Sequence, residues 1–252
     1  MASWPLFVVA GASIGVLTGV FGVGGSSIAT PILSIMGVAP LQAIASPLPA
    51  TIPAALLAAL PYLRDRESRP RTAGWSLVGG VPATIVGALL SRVIGGSALL
   101  VVSGVVLVIV GQRVLRPIEQ SARDAGTARR KNRPLLVAAA AVAGLFTGLL
   151  ANGGGFLLVP MYLLVFGLEM REAVGTSLLV IAVLTVPTLA THWALGHIDW
   201  TAAAAFALGA VPASAVSARL AKRAGDQTVR RAFAWLLIVS GLAFVVFRLV
   251  GA

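Results

Sequence analysis

Cysteine is absent from this 252-residue chain, which excludes disulfides, thiolate chemistry and Cys-based metal sites. Charge is scarce as well: 11% of residues are Asp, Glu, Lys or Arg, 58% are apolar, and the mean hydropathy is +0.97. That leaves too little polar surface to cover a globule in water, so the solvent for most of the chain is lipid. Acidic residues are the scarcer sign, eight against nineteen Lys and Arg, for a net charge of +11. In a soluble protein that excess suggests nucleic acid. Here the bases fall in short links between apolar runs, the positive-inside pattern of a membrane protein, and no nucleic-acid partner is expected. Histidine occurs twice, at His192 and His197. No His-Glu-x-x-His or Gly-Lys-Ser/Thr sequence is present, and the Gly-x-Ser-x-Gly match at Gly11-Ala12-Ser13-Ile14-Gly15 lies inside an apolar run and not at a strand-to-helix turn, so no catalytic residue, metal site, nucleotide or other cofactor is expected. Residues 1–22 lack a basic n-region and read as a retained first helix, not a cleaved signal.

What the chain has in abundance is long apolar runs, at about 4–22, 27–37, 41–62, 73–92 and 97–112, then 134–150, 156–167, 172–193, 201–220 and 229–250. Runs of Leu, Val, Ile and Ala without alternation are helices, because backbone groups in lipid need partners within their own segment. The second run of each group, eleven or twelve residues, reaches roughly 17 Å against a hydrocarbon core of ~30 Å, so it is expected to stop partway. Pro40, Pro47, Pro49, Pro53 and Pro61 crowd the third run of the first group, enough to break or kink it repeatedly.

The two groups are copies. Slid by 129 residues, Gly15, Thr18, Gly19, Gly24, Gly25 and Pro31 fall on Gly144, Thr147, Gly148, Gly153, Gly154 and Pro160. After a one-residue insertion, Gly37, Ala43, Leu48, Gly79, Val81, Pro82 and Ala83 fall on Gly167, Ala173, Leu178, Gly209, Val211, Pro212 and Ala213. The expected organisation is an all-α polytopic membrane protein. It has one transmembrane repeat over 1–112, a basic cytoplasmic linker over 113–133 and a second repeat over 134–252, with about five segments per repeat. Arg64, Arg66, Arg69 and Arg71 mark the link at 63–72, whereas its counterpart at 194–200 has no Lys or Arg. Conversely, the sparse link at 93–96 answers a stretch holding Arg219, Lys222, Arg223, Arg230 and Arg231. A bias that swaps sides between copies implies inverted topology with both termini outside.

Each repeat holds one glycine loop ahead of its short helix: Gly22-Val23-Gly24-Gly25-Ser26-Ser27, and Asn152-Gly153-Gly154-Gly155. Opposed hairpins would bring these loops together near the midplane, where amides at two helix N-termini favour an anion; close helix packing is the plainer use of such glycines. Ser46, Thr176 and Ser177 occupy equivalent places early in the third segments, where a hydroxyl either bonds an oxyanion or bonds back to its own helix. His192, beside Trp193 at a segment end, is either a proton relay or an interfacial residue. Glu169, Arg171 and Glu172 read as a solvated loop, with Glu172 a favourable first-turn charge, and His197 with Asp199 reads as an isolated solvent-side pair.

The duplicated glycine loops, each ahead of a proline (Pro31, Pro160), and the later Gly175-Thr176-Ser177-Leu178 resemble the TauE/SafE sulfite exporter family, also called the toluene sulfonate uptake permease family. The likeness runs from Trp4 to about Val250; Ala45-Ser46-Pro47 departs from the family's Thr-Ser pair. The resemblance implies a multi-pass inner-membrane carrier moving a small sulfur-containing or organic anion such as sulfite, a sulfonate or thiosulfate by secondary transport; whether H⁺ or Na⁺ is the coupling ion is left open by the sequence. A non-transporting membrane scaffold is the alternative.

Overall fold

The computed structural model describes residues 4–24, 29–30, 32–33, 36–94, 96–116, 129, 132–149 and 155–250. Every long described element is a helix: α1 (Trp4–Phe21), α2 (Pro40–Ala45), α3 (Leu48–Arg64), α4 (Pro70–Ile94), α5 (Gly96–Leu115), α6 (Arg133–Leu149), α7 (Gly155–Pro160), α8 (Met170–Ala194), α9 (Trp200–Ala221) and α10 (Asp226–Val250). A π-helical turn, Met161–Val165, continues α7. Among the described residues, Trp4–Phe21, Gln42–Arg64, Met170–Ala194 and Trp200–Ala221 are long and apolar enough to cross a membrane. The second short run forms six residues of α7 followed by five of π-helix. One expectation is corrected. The proline-rich third segment breaks once, at Ser46-Pro47, and α3 then runs through Pro53 and Pro61 without interruption. A proline costs one intrahelical bond, and a helix held on several sides by neighbours tolerates that loss.

Packing is governed by glycine and exchanges helices between the halves. α1 lies along α9 in the same direction: methyl groups added at Gly11 and Gly15 would meet the carbonyls of Phe206 and Ala210, and one at Gly19 the Ser214 carbonyl. α6 lies along α4 in the same way, Gly144 against the Gly80 carbonyl and Gly79 against that of Val137. Close backbone approach replaces the hydrophobic effect as the source of cohesion here, since lipid tails are as apolar as leucine. α3 and α8 run antiparallel, with Tyr62 against Gly175 at one end and the Ser46 hydroxyl accepting from the Asp199 amide at the other. α5 and α10 are also antiparallel, Gly104 meeting Gly241 and Gly111 meeting Ala234.

The link turns repeat too. α3 ends with Glu67 N–H donating to Tyr62 O at 2.8 Å across Arg66 at φ 57°, and α8 ends with His197 N–H donating to His192 O at 3.1 Å across Gly196 at φ 69°. Both satisfy terminal carbonyls by a left-handed residue followed by a long back-bond. The first carries a non-glycine in the left-handed region, which is a strained choice.

Candidate functional site

The first glycine loop leaves α1 through Gly22, whose φ of +64° suits glycine. The Ser177 hydroxyl shares its single hydrogen between the Gly22 carbonyl (3.0 Å) and its own Val174 carbonyl (2.9 Å), so the loop entrance is pinned to α8 of the opposite half. Val23 and Gly24 are buried. Beyond the loop, Ala29 packs in one cluster with Ala10, Ile14, Ala50, Phe206 and Ala210, level with the middle of α1. Gly155 opens α7. Gly25, Ser26, Ser27, Asn152, Gly153 and Gly154 lie outside the described residues.

Thr176 and Ser46 repeat one hydrogen bond. The Arg69 amide donates to Thr176 Oγ1 at 3.1 Å, and the Asp199 amide donates to Ser46 Oγ at 3.2 Å, each pair marking one end of the antiparallel α3–α8 pair. The Thr176 hydroxyl gives its hydrogen to the Glu172 carbonyl at 2.6 Å. Both residues are buried. The structure therefore does not gather Ser46, Thr176 and Ser177 around one anion. Thr176 to the end of α8 spans about 27 Å at ~1.5 Å per residue, and the hydrogens of Thr176 and Ser177 are spent on carbonyls. Duplication with an antiparallel partner sends equivalent residues to opposite ends, which a sequence alignment of the halves conceals.

His192 stands at that far end, half-buried, with its Nδ1 3.3 Å from Nδ1 of His197. This corrects the pairing of His197 with Asp199, whose Oδ1 instead caps α9 by accepting from the amides of Thr201 (2.9 Å) and Ala202 (3.0 Å). Trp193 and Trp200, both exposed, stack edge-on beside the histidines, as interfacial aromatics do.

At the opposite end, charges that read as solvated are paired across the halves. Glu172 holds Arg69; Arg171 reaches Glu67 at 3.3 Å; Lys222 holds Asp65 and reaches Glu67 at 3.0 Å. Asp226 accepts from the amides of Met170 and Arg171, each at 3.2 Å, Lys222 donates to the Pro61 carbonyl at 3.0 Å, and Arg171 donates to the Ala224 carbonyl at 3.1 Å. Burial alone would pull the Lys222 ammonium down, but the hydrogen bonds and charges of Asp65 and Glu67 outweigh it and hold its pKa above the ordinary value. This latch was missed in the sequence. Its available signal is that Asp65, Glu67, Glu169, Glu172 and Asp226, five of eight acidic residues, fall in three short links at one predicted face.

Among the described residues no group of three or more His, Asp or Glu is disposed to hold a metal ion. Among the described residues the result is a helical bundle with the start of the first glycine loop buried against α8 and an ionic clasp at one end.

Comparison with known proteins agrees with this class. A curated relative, the probable membrane transporter protein YjnA of Bacillus subtilis (strain 168), is 22% identical over 251 residues, covering 94% of this chain and 98% of its own. The probable membrane transporter protein YunE of the same organism is 29% identical over 109 residues, 43% of this chain and 40% of that protein. A probable membrane transporter protein of Xylella fastidiosa (strain 9a5c) is 28% identical over 113 residues, 44% of this chain and 43% of its own. These last two alignments span well under half of the relatives' length. No solved structure matches the chain. The family model described as sulfite exporter TauE/SafE matches residues 7–244, nearly the whole sequence, and the chain therefore belongs to the TauE/SafE family of membrane transporters.

Proposed function

We propose that this protein is a secondary transporter of a small anion of the sulfite, sulfonate or thiosulfate class, bound by backbone amides of the two glycine loops and moved by alternating access. The observation that carries this reading is the first loop's seat: Gly22 pinned by Ser177 of the other half, with Val23 and Gly24 buried behind it. An anion there needs donors in place of water, and backbone amides of a glycine loop would supply them without fixed side-chain charge. Ser177 and Thr176 enter as residues that position loop and link, and Ser46 does so at the far end. A thermal-shift screen of purified protein against sulfite, thiosulfate, sulfonates and carboxylates tests it, because a ligand that binds only the folded state raises its apparent stability. Gly25→Val and Gly154→Val are expected to remove the shift while the variants still purify as folded protein. A folded pair that keeps the wild-type ligand shift would move the site elsewhere.

We also propose that the halves are inverted repeats in the inner membrane, with the 113–133 linker cytoplasmic and both termini outside. Helix directions support this. α1 and α3 run with α9, whereas their counterparts α6 and α8 run with α4, so each copy runs opposite to its equivalent. The absence of cysteine makes the test clean. Cysteine at Gly196 is expected to react with an impermeant maleimide in intact cells and cysteine at Ala125 only after permeabilisation; the reverse pattern would invert the assignment.

Proton coupling through His192 belongs to the same proposal, acting at the outer rim and not beside the loops. His192→Gln is expected to flatten the pH profile of transport in proteoliposomes, and an unchanged profile would reduce the residue to an interfacial anchor.

A further inference from the structure

The two histidines of the chain meet because of a backbone motif. Leu195 is the C-cap of α8; Gly196 in the left-handed region donates to the Trp193 carbonyl at 3.0 Å, and His197 donates to the His192 carbonyl at 3.1 Å. This pair of bonds is the Schellman motif, which brings the side chains of its third-last and second-following residues into contact. That contact is commonly apolar. Here both positions are imidazole, with ring centroids 5.4 Å apart, and the same nitrogen of each ring faces the other at 3.3 Å. At the equivalent turn of the first half the two positions are Tyr62 and Glu67, so the double histidine is particular to this end.

We propose that His192 and His197 form a two-ligand site for a borderline divalent transition-metal ion such as Zn²⁺, at the α8–α9 turn. The separation fits. Two nitrogens ~2.0–2.1 Å from one ion at a tetrahedral angle lie about 3.3–3.4 Å apart. The turn presets it: the left-handed glycine and the back-bond fix both Cα positions, so binding orders only side-chain rotation. Soft thiolates are absent from the chain, which leaves imidazole as its best transition-metal donor. Asp199, two residues beyond His197, adds negative charge to the same turn while its Oδ1 is occupied in capping α9. Water supplies the remaining ligands, and an affinity well below that of three- or four-residue sites follows. Metal and proton compete for the same two Nδ1 atoms, so acid displaces the ion. This inference is independent of the anion reading, since the pair lies at the opposite end of α8 from Ser177.

Titration of the purified full-length protein in detergent with zinc chloride, followed by calorimetry and by melting temperature, tests it. The expected result is saturable binding of one ion per chain with a raised melting temperature at pH 7.5. Magnesium chloride gives no such effect, and at pH 5.5 binding is at least tenfold weaker. His192→Phe, which keeps an apolar contact across the turn, and His197→Gln are each expected to weaken binding at least tenfold with unchanged melting temperature in chelator. Equal zinc binding by wild type and a folded His192→Phe/His197→Gln double variant overturns the proposal, as does the absence of saturable binding in the wild type. If zinc binding persists at pH 5.5 undiminished, the imidazoles are not the ligands.

Discussion

Gly209→Ala and Gly79→Ala are each expected to cost the protein most of its folded, monodisperse population in detergent. A Cβ at Gly209 would stand 2.0 Å from the Val8 carbonyl oxygen and 2.7 Å from the Ala12 nitrogen; one at Gly79 would stand 2.2 Å from the Val137 carbonyl oxygen. These neighbours are backbone atoms, so no rotamer change relieves the clash and whole helices must separate. Overpacking in a core costs roughly 1–3 kcal/mol when side chains can give way, and a backbone collision lies at or above that range. The penalty falls twice, since separation also forfeits the close contacts along α1–α9 or α4–α6 that hold membrane helices together. Gly74→Ala is the control. Nothing lies within 4 Å of a Cβ there, and a helix-interior glycine replaced by alanine gains about 0.5–1 kcal/mol. Size-exclusion profiles and melting curves of the three variants separate the cases, and wild-type melting by both clash variants would show that these helix pairs stand farther apart.

Lys222→Met is expected to loosen the end of the molecule where the links of the two halves meet. Lys222, 12% exposed, holds Asp65, reaches Glu67, donates to the Pro61 carbonyl and lies 5.8 Å from the centroid of the Tyr62 ring. Removing it leaves the largely buried Glu67 carboxylate with Arg171 as its remaining cationic partner. Exposed pairs contribute about 0.2–1 kcal/mol, and breaking a buried pair costs roughly 3–5 kcal/mol. Glu67 at 24% and Asp65 at 62% exposure put this cluster between those limits, at roughly 1–3 kcal/mol. The raised Lys222 pKa gives the sign of the pH effect: its contribution is complete below the ordinary value of 10.5 and is lost only as pH climbs past the folded value. Two measurements check this. Melting temperature is expected to fall in Lys222→Met and to recover partly in Lys222→Met/Glu67→Gln, which removes the under-compensated charge and keeps an acceptor for Arg171. A cysteine replacing the buried Ser68 is expected to react with maleimide faster in the Lys222→Met background, because the links it lies between part more often. Equal reactivity in both backgrounds would mean that the clasp does not control opening at this face.

Much of this was legible in the chain itself. Hydropathy and the shortage of charge dictate a lipid-embedded helical protein, since no other backbone satisfies its hydrogen bonds there without alternation. The Gly15/Gly144 and Gly79/Gly209 coincidences pointed to a duplication, and the length of the second runs pointed to segments shorter than a full crossing. Tertiary structure alone decided which helices touch. In lipid an apolar face carries no direction, so α1 gives no sign that it pairs with α9 of the other half; glycine marks a close approach but not its partner. Only the assembled bundle sends Ser46 and Thr176 to opposite ends, spends the Thr176 and Ser177 hydrogens on carbonyls, pairs Arg69 with Glu172, and closes Asp65, Glu67, Arg171 and Lys222 into one clasp. It also presses His192 against His197 through a left-handed glycine. Each of these outcomes depends on side chains separated by many residues or on one backbone dihedral, and neither quantity is carried by composition or period.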